Sequence, residues 1–414
     1  MNRAQYENSV TNLTPDLTLY RVPDVRVHID SSNNILVVSE DGTFSLGPHG
    51  LSVLDAFYEP ASVAEALKKL SAKISGMQDW VTLASTIMQL YEAGILQDET
   101  QRRQLPRVAE ETGFGRVGIH LDMLNDRERT ASFLSAIAET VKPGDVVLDI
   151  GTGTGIFAIA AARAGAKHVY AIEASGIVES GQAIFAANGL ANRITLLRGY
   201  STRVTLPEKA DVLVSEIIGH DPLAEEVVET TYDAQKRLLK SEARLIPSKI
   251  RVFGLPVTIP RTELMQYVLT PETLQAWHSW YGIDFEPLIQ TQQDTPLRFY
   301  IKPQKACHWN ALSEPFLLTE VDLKEQKHLR IENSTIATVE TPGRLDALLT
   351  YFELELGLAT KFSTHPAQVA ENNHWYVPVF ALVDPLSVQA EDRFKVAYQY
   401  RTTSARPRVD ITRV

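Results

Sequence analysis

The residues best equipped for chemistry lie between positions 146 and 225. An apolar run, Val146-Val147-Leu148-Asp149-Ile150, leads into Gly151-Thr152-Gly153-Thr154-Gly155, and helical periodicity begins at Ile156. Three alternate glycines let a backbone turn tightly and meet a ligand at close range, with no Cβ in the way. Eighteen residues after Gly155, at the end of the next apolar run, stands Glu173. A carboxylate there can accept hydrogen bonds from both hydroxyls of a ribose. The G-x-G-x-G spacing is not the G-x-G-x-x-G that seats a pyrophosphate on a helix N-terminus. On its own this loop predicts a nucleoside-containing cofactor, a need that nicotinamide enzymes and S-adenosylmethionine enzymes share.

Two further carboxylates, Glu216 and Glu225, stand nine positions apart around Gly219. A guanidinium presents five donors in a planar fork, so two acids can hold and orient it from two sides. Each such charge-assisted bond is worth about 1.5–3 kcal/mol when sheltered from water. By themselves these residues read as a loop acid and an acid near a helix N-terminus, where the macrodipole favours negative charge; the guanidinium reading depends on the motifs around them. The adjacent Glu226 reads as a solvated face residue.

The elements that must position these groups fall into three blocks. Residues 112–250 alternate apolar strands (VVLDI, HVYAIEA, ITLLRG, ADVLVSE) with helices around 156–164, 177–188 and 223–240. That is the pattern of a parallel sheet covered on both faces. Residues 251–414 carry alternating β-branched and aromatic runs such as IRVFGLPVTI, WYVPVFALV and FKVAYQYRTT, with a helix only near 271–280. They read as an antiparallel barrel or sandwich. Residues 1–100 begin with short strands through Val27, 35–38 and 43–46, with turn signals at Ser31-Ser32-Asn33-Asn34 and Asp41-Gly42. About three helices follow, marked by Leu51, Leu54 and Phe57, then Val63, Leu67 and Leu70, then Leu83, Ile87, Leu90 and Tyr91, with Gly94 as a C-cap. A small winged-helix-like α+β module is predicted, joined by a polar linker over 101–111.

Length and composition bound the rest. At 414 residues the chain is long enough for about three domains. With 44% hydrophobic and 22% charged residues it is neither disordered nor fibrous. No apolar run approaches the roughly 18 residues of a membrane span, and the first residues carry no apolar secretion segment. The single cysteine, Cys307, excludes an internal disulfide framework and a cysteine-rich zinc module. A formal charge of −11 argues against nucleic-acid wrapping and mildly favours a cationic substrate. The expectation is a cytoplasmic protein with no membrane, nucleic-acid or metal partner.

Gly118-Ile119-His120-Leu121-Asp122-Met123-Leu124, followed by Asp126-Arg127-Glu128-Arg129-Thr130, resembles the segment that precedes the first strand in the protein arginine methyltransferase family. The glycine loop, then Val169-Tyr170-Ala171-Ile172-Glu173-Ala174-Ser175, and then Ser215-Glu216-Ile217-Ile218-Gly219 with Glu225, are similar to that family's cofactor motifs and double-glutamate loop. Phe362-Ser363-Thr364-His365-Pro366, His374-Trp375 and the run 379–388 are similar to its barrel, including the threonine–histidine–tryptophan loop that lines the arginine site. Residues 277–284 resemble its dimerisation arm, placed over about 260–290. His308-Trp309 lacks the downstream pattern and reads as a packed aromatic pair. The resemblance covers about 112–414. More loosely, residues 1–100 resemble the PqqD-like peptide-recognition domains.

The resemblance implies a class I methyltransferase Rossmann-like sheet followed by an antiparallel β-barrel, an α/β fold class with the small N-terminal module in front. It implies S-adenosylmethionine as cofactor, held by His120, Met123, Arg129, Asp149, Gly151, Gly153, Gly155 and Glu173, with Arg129 on the cofactor carboxylate. Glu216 and Glu225 would hold a substrate guanidinium, Asp126 and His374 would relay the released proton, and Trp375 would line the substrate site. The implied reaction is N-methylation of an arginine in a peptide or protein, including a ribosomally made precursor peptide, by a homodimer. The first block would then add an extended peptide to a sheet edge, or serve as an accessory module for packing or dimerisation. There are departures. The family's lid tyrosines are Glu110, Glu111 and Phe114 here, its loop threonine is Asn373, and its adenine-contacting acid is Ser201 or Thr202. A different acceptor on the same fold, a small amine or another peptide side chain, is the first alternative. A non-catalytic peptide-binding subunit is the second.

Overall fold

All five residues of Val146–Ile150 are buried, as in a strand covered on both faces. It is the middle strand of a five-stranded parallel sheet ordered Leu239–Ile246, Ala210–Ser215, Val146–Ile150, His168–Glu173, Ile194–Arg198. The helices Ile156–Arg163, Val178–Ala187 and Val227–Arg237 make the crossovers. The chain steps from Val146–Ile150 to one edge and then returns to the opposite side at Ala210–Ser215, so the winding reverses between those two strands. Open parallel sheets bind ligands at the carboxyl ends of strands flanking such a reversal. Ser215 is in register with Ile150, which brings the start of the acid loop against Gly151.

This computed structural model describes residues 14–21, 26–29, 35–39, 42–47, 49–58, 60–71, 76–98, 117–291, 297–326, 330–401 and 404–414. The turn signals over 31–34 and at Asp41, the linker over 101–111, and Glu110, Glu111 and Phe114 lie outside the described residues. The chain divides into two compact units, Met1–Ala109 and Glu110–Val414.

Within the second unit, the helix expected over 223–240 is shorter, Val227–Arg237. Its first residues stay in the acid loop, and Glu226 caps it in a left-handed conformation at φ 61°. Beyond it, Leu239–Ile246 is a fifth parallel strand. Two antiparallel sheets follow. One is built around Lys249–Thr258, Gly343–Glu355, Val377–Val388 and Leu297–Ile301, and the other from Arg330–Thr338, Arg393–Arg401 and Ser404–Arg413. A single apolar core runs from the parallel sheet into this barrel-like part, from Val147 and Leu213 through Ile246 and Ile250 to Leu348 and Phe352.

Between Thr258 and Leu297 the chain makes an arm. Thr270 accepts from the Thr273 amide at 3.2 Å and Pro271 opens the helix Pro271–Tyr281, which Gly282 ends at φ 65°. Trp280, Tyr281 and Ile283 on this arm are more than half exposed. Trp309 is buried and donates to Glu263 at 3.0 Å, whereas His308 is exposed. The expected packed pair is therefore one packed ring.

The first unit has its own core of Leu19, Val37, Val53, Phe57, Leu83, Ile87 and Leu90 among others. It holds the helices Gly50–Ala56, Val63–Leu70 and Met77–Glu92, one sheet of Ala61–Ser62, Thr18–Arg21 and Leu96–Gln97, and an antiparallel meander of Arg26–Ile29, Ile35–Ser39 and Gly42–Leu46. Ser62 and Glu65 form a reciprocal capping box on the second helix, and Gly94 follows the third at φ 69°.

Candidate active site

The glycine turn is closed tightly. The amides of Gly151 and Thr152 both donate to the Ile172 carbonyl at 3.0 Å, and Gly155 donates to Thr152 at 2.8 Å. Gly155 caps the following helix at φ 83°, and a Cβ there would lie 2.1 Å from Phe185. A Cβ on Gly151 would lie 2.6 Å from Ile217. His120, buried, packs its ring against Gly153. Glu173 is buried at the end of the neighbouring strand, one carboxylate oxygen accepting from Gly153 and the other from Ser175, each at 2.7 Å. Asp149 accepts from Thr152 at 2.6 Å through one oxygen, while the other has no partner. Burial, with the charges of Glu173 and Glu216 adding, pushes its carboxyl up to about 7 against the pull of the Thr152 bond.

Arg129 and Glu216 were expected to serve different ligands. In the structure they meet. The Arg129 guanidinium donates to the Glu216 carboxylate and to the Met123 carbonyl, the latter at 3.2 Å, with both ion-pair side chains nearly buried. Phe157 and Trp375 present ring faces to the guanidinium at 5.5 and 5.8 Å. Arg129 Nε is buried without a partner. Glu225, the other acid, is half-buried, and desolvation with the nearby Glu216 charge pushes it up to about 7.

Asp126 combines two roles. It caps the helix Arg127–Thr140 by accepting from the Arg129 amide at 3.1 Å, and its second oxygen accepts from the His374 amide at 3.1 Å and meets His374 Nδ1 at 2.9 Å. Burial would raise this carboxyl, but the His374 and Arg129 bonds outweigh it and the net shift is downward. An ionised Asp126 holds the proton on Nδ1 and leaves Nε2 of a neutral His374 as the basic nitrogen.

The acid loop is fastened from the barrel side. Trp375, buried among Phe352, Phe362 and His374, donates Nε1–H to the Ile218 carbonyl at 2.8 Å. The side chain expected to line the substrate site thus meets the loop through this bond. Two residues the sequence reading passed over hold the same loop. Asp221, buried, accepts from the Tyr300 hydroxyl at 2.5 Å and from Arg298 at 3.1 Å, and His220 accepts the Tyr376 amide at 3.1 Å. Their only sequence signal was polarity between two candidate acids. Asn373 donates to the Trp375 carbonyl at 2.9 Å, and Ser201 is buried at the start of a short 3-10 turn.

Fold and site together define a Rossmann-like methyltransferase with an appended barrel-like domain. Residues 126–251 match the family model described as ribosomal protein L11 methyltransferase, and residues 263–412 match the arginine methyltransferase oligomerization subdomain. The chain is 32% identical over 281 residues to protein arginine N-methyltransferase 1 of Schizosaccharomyces pombe, covering 66% of this chain and 78% of that one. It is 30% identical over 309 residues to protein arginine N-methyltransferase PRMT10 of Oryza sativa subsp. japonica, covering 67% and 79%. In fold it is similar to the Trypanosoma brucei PRMT1 enzyme–prozyme heterotetrameric complex with AdoHcy, at TM-score 0.61 and 23% identity over 73% of this chain and 100% of that one. The chain belongs to the protein arginine N-methyltransferase family. It is an S-adenosylmethionine-dependent methyltransferase.

The residues present suit that cofactor. The unpartnered Arg129 Nε–H and Asp149 oxygen are a donor and an acceptor for an amino-acid carboxylate and ammonium, and Glu173 keeps lone pairs for a ribose beyond its two amide bonds.

Proposed function

We propose that this protein transfers a methyl group from S-adenosylmethionine to a guanidinium nitrogen of an arginine in a peptide or protein. One observation carries the reading. Beside the glycine turn Glu216 already grips a guanidinium, that of Arg129, while the half-buried Glu225, in the same loop, has no cationic partner among the described residues. When bound, the cofactor supplies an electrophilic sulfonium methyl for in-line transfer. Glu216 and Glu225 orient the acceptor nitrogen, Arg129, Asp149 and Glu173 hold the cofactor, and His374, set by Asp126, takes the released proton at Nε2. Glu216→Gln should leave S-adenosylhomocysteine affinity within a few-fold while lowering turnover on arginine-containing peptides by about 100-fold. Undiminished turnover would reject the assignment.

A second reading keeps the cofactor and changes the acceptor to a small amine or another peptide side chain, favoured by Glu110, Glu111 and Phe114 where the family's lid tyrosines stand. Tandem mass spectrometry that places the added methyl on a residue other than arginine would establish it.

We further propose a homodimer formed through the arm, supported by the exposed Trp280, Tyr281, Ile283, Leu288 and Ile289 and by the oligomerization-subdomain match. The first unit is proposed to recognise an extended peptide. Among the described residues the outer strands of its meander, Arg26–Ile29 and Gly42–Leu46, pair on one side only, leaving edges a peptide could extend. Amide exchange on the full chain should slow at one of those strands when a substrate peptide is added. A cytoplasmic location is proposed on composition, the single cysteine in particular.

A further inference from the structure

His220 lies within the acid loop, four residues after Glu216 and five before Glu225. Its Nδ1 accepts the backbone amide of Tyr376 at 3.1 Å. The ring packs against Tyr376 at 5.1 Å and Tyr300 at 5.6 Å between centroids. Tyr376 follows His374 and Trp375 directly, and the Trp375 indole reaches the same loop at the Ile218 carbonyl. The segment that carries the proton acceptor is therefore tied twice to the stretch between the two acids. An amide N–H can be donated only to an unprotonated ring nitrogen, so the bond places the imidazole proton on Nε2. Burial, with repulsion from a protonated His374 adding, pushes the His220 pKa down to about 4, and the acceptor lone pair persists at neutral pH.

We infer that His220 is a positioning residue for methyl transfer, using Nδ1 to fix the two-acid loop against the segment bearing His374. The inference deepens the function proposed above and rests on it. A packed ring with no such role would satisfy the aromatic contacts equally well, but it would not require an acceptor at the Nδ1 position. Methyl transfer needs donor, acceptor and base aligned within about an ångström, and slack in one loop is costly in rate.

The test uses His220→Asn, which keeps an acceptor near the Nδ1 position, His220→Gln, which moves it toward Nε2, and His220→Leu, which removes it. On an arginine-containing peptide methylated by the wild type, the Asn variant should keep kcat within about threefold, and the Gln and Leu variants should lose about ten- to hundredfold. S-adenosylhomocysteine affinity by calorimetry should stay unchanged in all three, which also reports that they fold. The Tyr376 amide should exchange slowly in the wild type and Asn variant and at least about tenfold faster in the other two. Equal exchange at Tyr376 in all four proteins, or kcat in the Leu variant matching the Asn variant, would overturn the inference. If the methyl lands on another acceptor, the function proposed above fails, while the same kcat ratios on that acceptor and the exchange rates still decide the role of His220.

Discussion

At the scale of single residues, the site is governed by how buried charge is shared. Arg129 neutralises Glu216, and both side chains are almost fully enclosed. Removing the cation leaves the acid buried and uncompensated. Arg129→Leu should therefore cost about 3–5 kcal/mol of stability as well as cofactor affinity, measurable by urea unfolding and calorimetry. Glu225 poses the opposite case, an acid whose carboxyl is pushed up to about 7 by desolvation and by the nearby Glu216 charge. A raised carboxyl in the folded state favours folding below the ordinary value of 4.5, and that contribution is lost as pH rises through 7. Asp149, also raised to about 7, acts in the same direction. The ligand-free protein should therefore lose thermal stability between about pH 5 and 7, and Glu225→Gln should flatten part of that slope. Catalysis has the reverse sign, because a guanidinium needs the ionised acid. Peptide kcat/KM should rise with pH up to about 7, through a limb that Glu225→Gln removes.

At the scale of elements, the glycine turn was legible in the sequence because its backbone tolerates no substitute. Gly155→Ala would set a methyl group 2.1 Å from Phe185 at a positive φ. We expect a loss of about 1–3 kcal/mol, read from denaturant midpoints. The four strands read as apolar runs are those buried inside the sheet or carrying its apolar positions. Leu239–Ile246 was not legible because three successive exposed residues, Lys240, Ser241 and Glu242, interrupt its apolar positions, whereas the opposite edge strand, Ile194–Arg198, has no exposed residue and keeps Ile194, Leu196 and Leu197. The helix over 227–237 was drawn too long for a related reason. Leu223 is buried and extends the apolar periodicity backward, but it belongs to the acid loop. In the candidate site, Glu216, Glu225, Asp126 and His374 were identifiable by motif, whereas Asp221 and His220 were not. Their partners, Tyr300, Arg298 and the Tyr376 amide, come from segments 77 to 156 residues away, and pairings at that range leave no local pattern.

At the scale of the whole molecule, the proposed dimer rests on the arm that interrupts the barrel-like domain and on its exposed apolar residues. Trp280→Glu combined with Ile283→Glu places charge on an exposed apolar surface and should yield a monomer in sedimentation experiments at micromolar concentration. An unchanged sedimentation coefficient, with a dimer in both proteins, would move the interface elsewhere. The continuous core from Val147 to Phe352 means the parallel sheet and barrel-like part of the second unit should unfold together.

Gly151 and Ile217 abut so closely that neither loop has room of its own: one methyl group on the first would strike the second. In the function proposed above, methyl donor and acceptor thus share a wall rather than occupying separate rooms. A descendant adopting a bulkier neighbour to Glu216 would narrow the donor's seat by the same stroke.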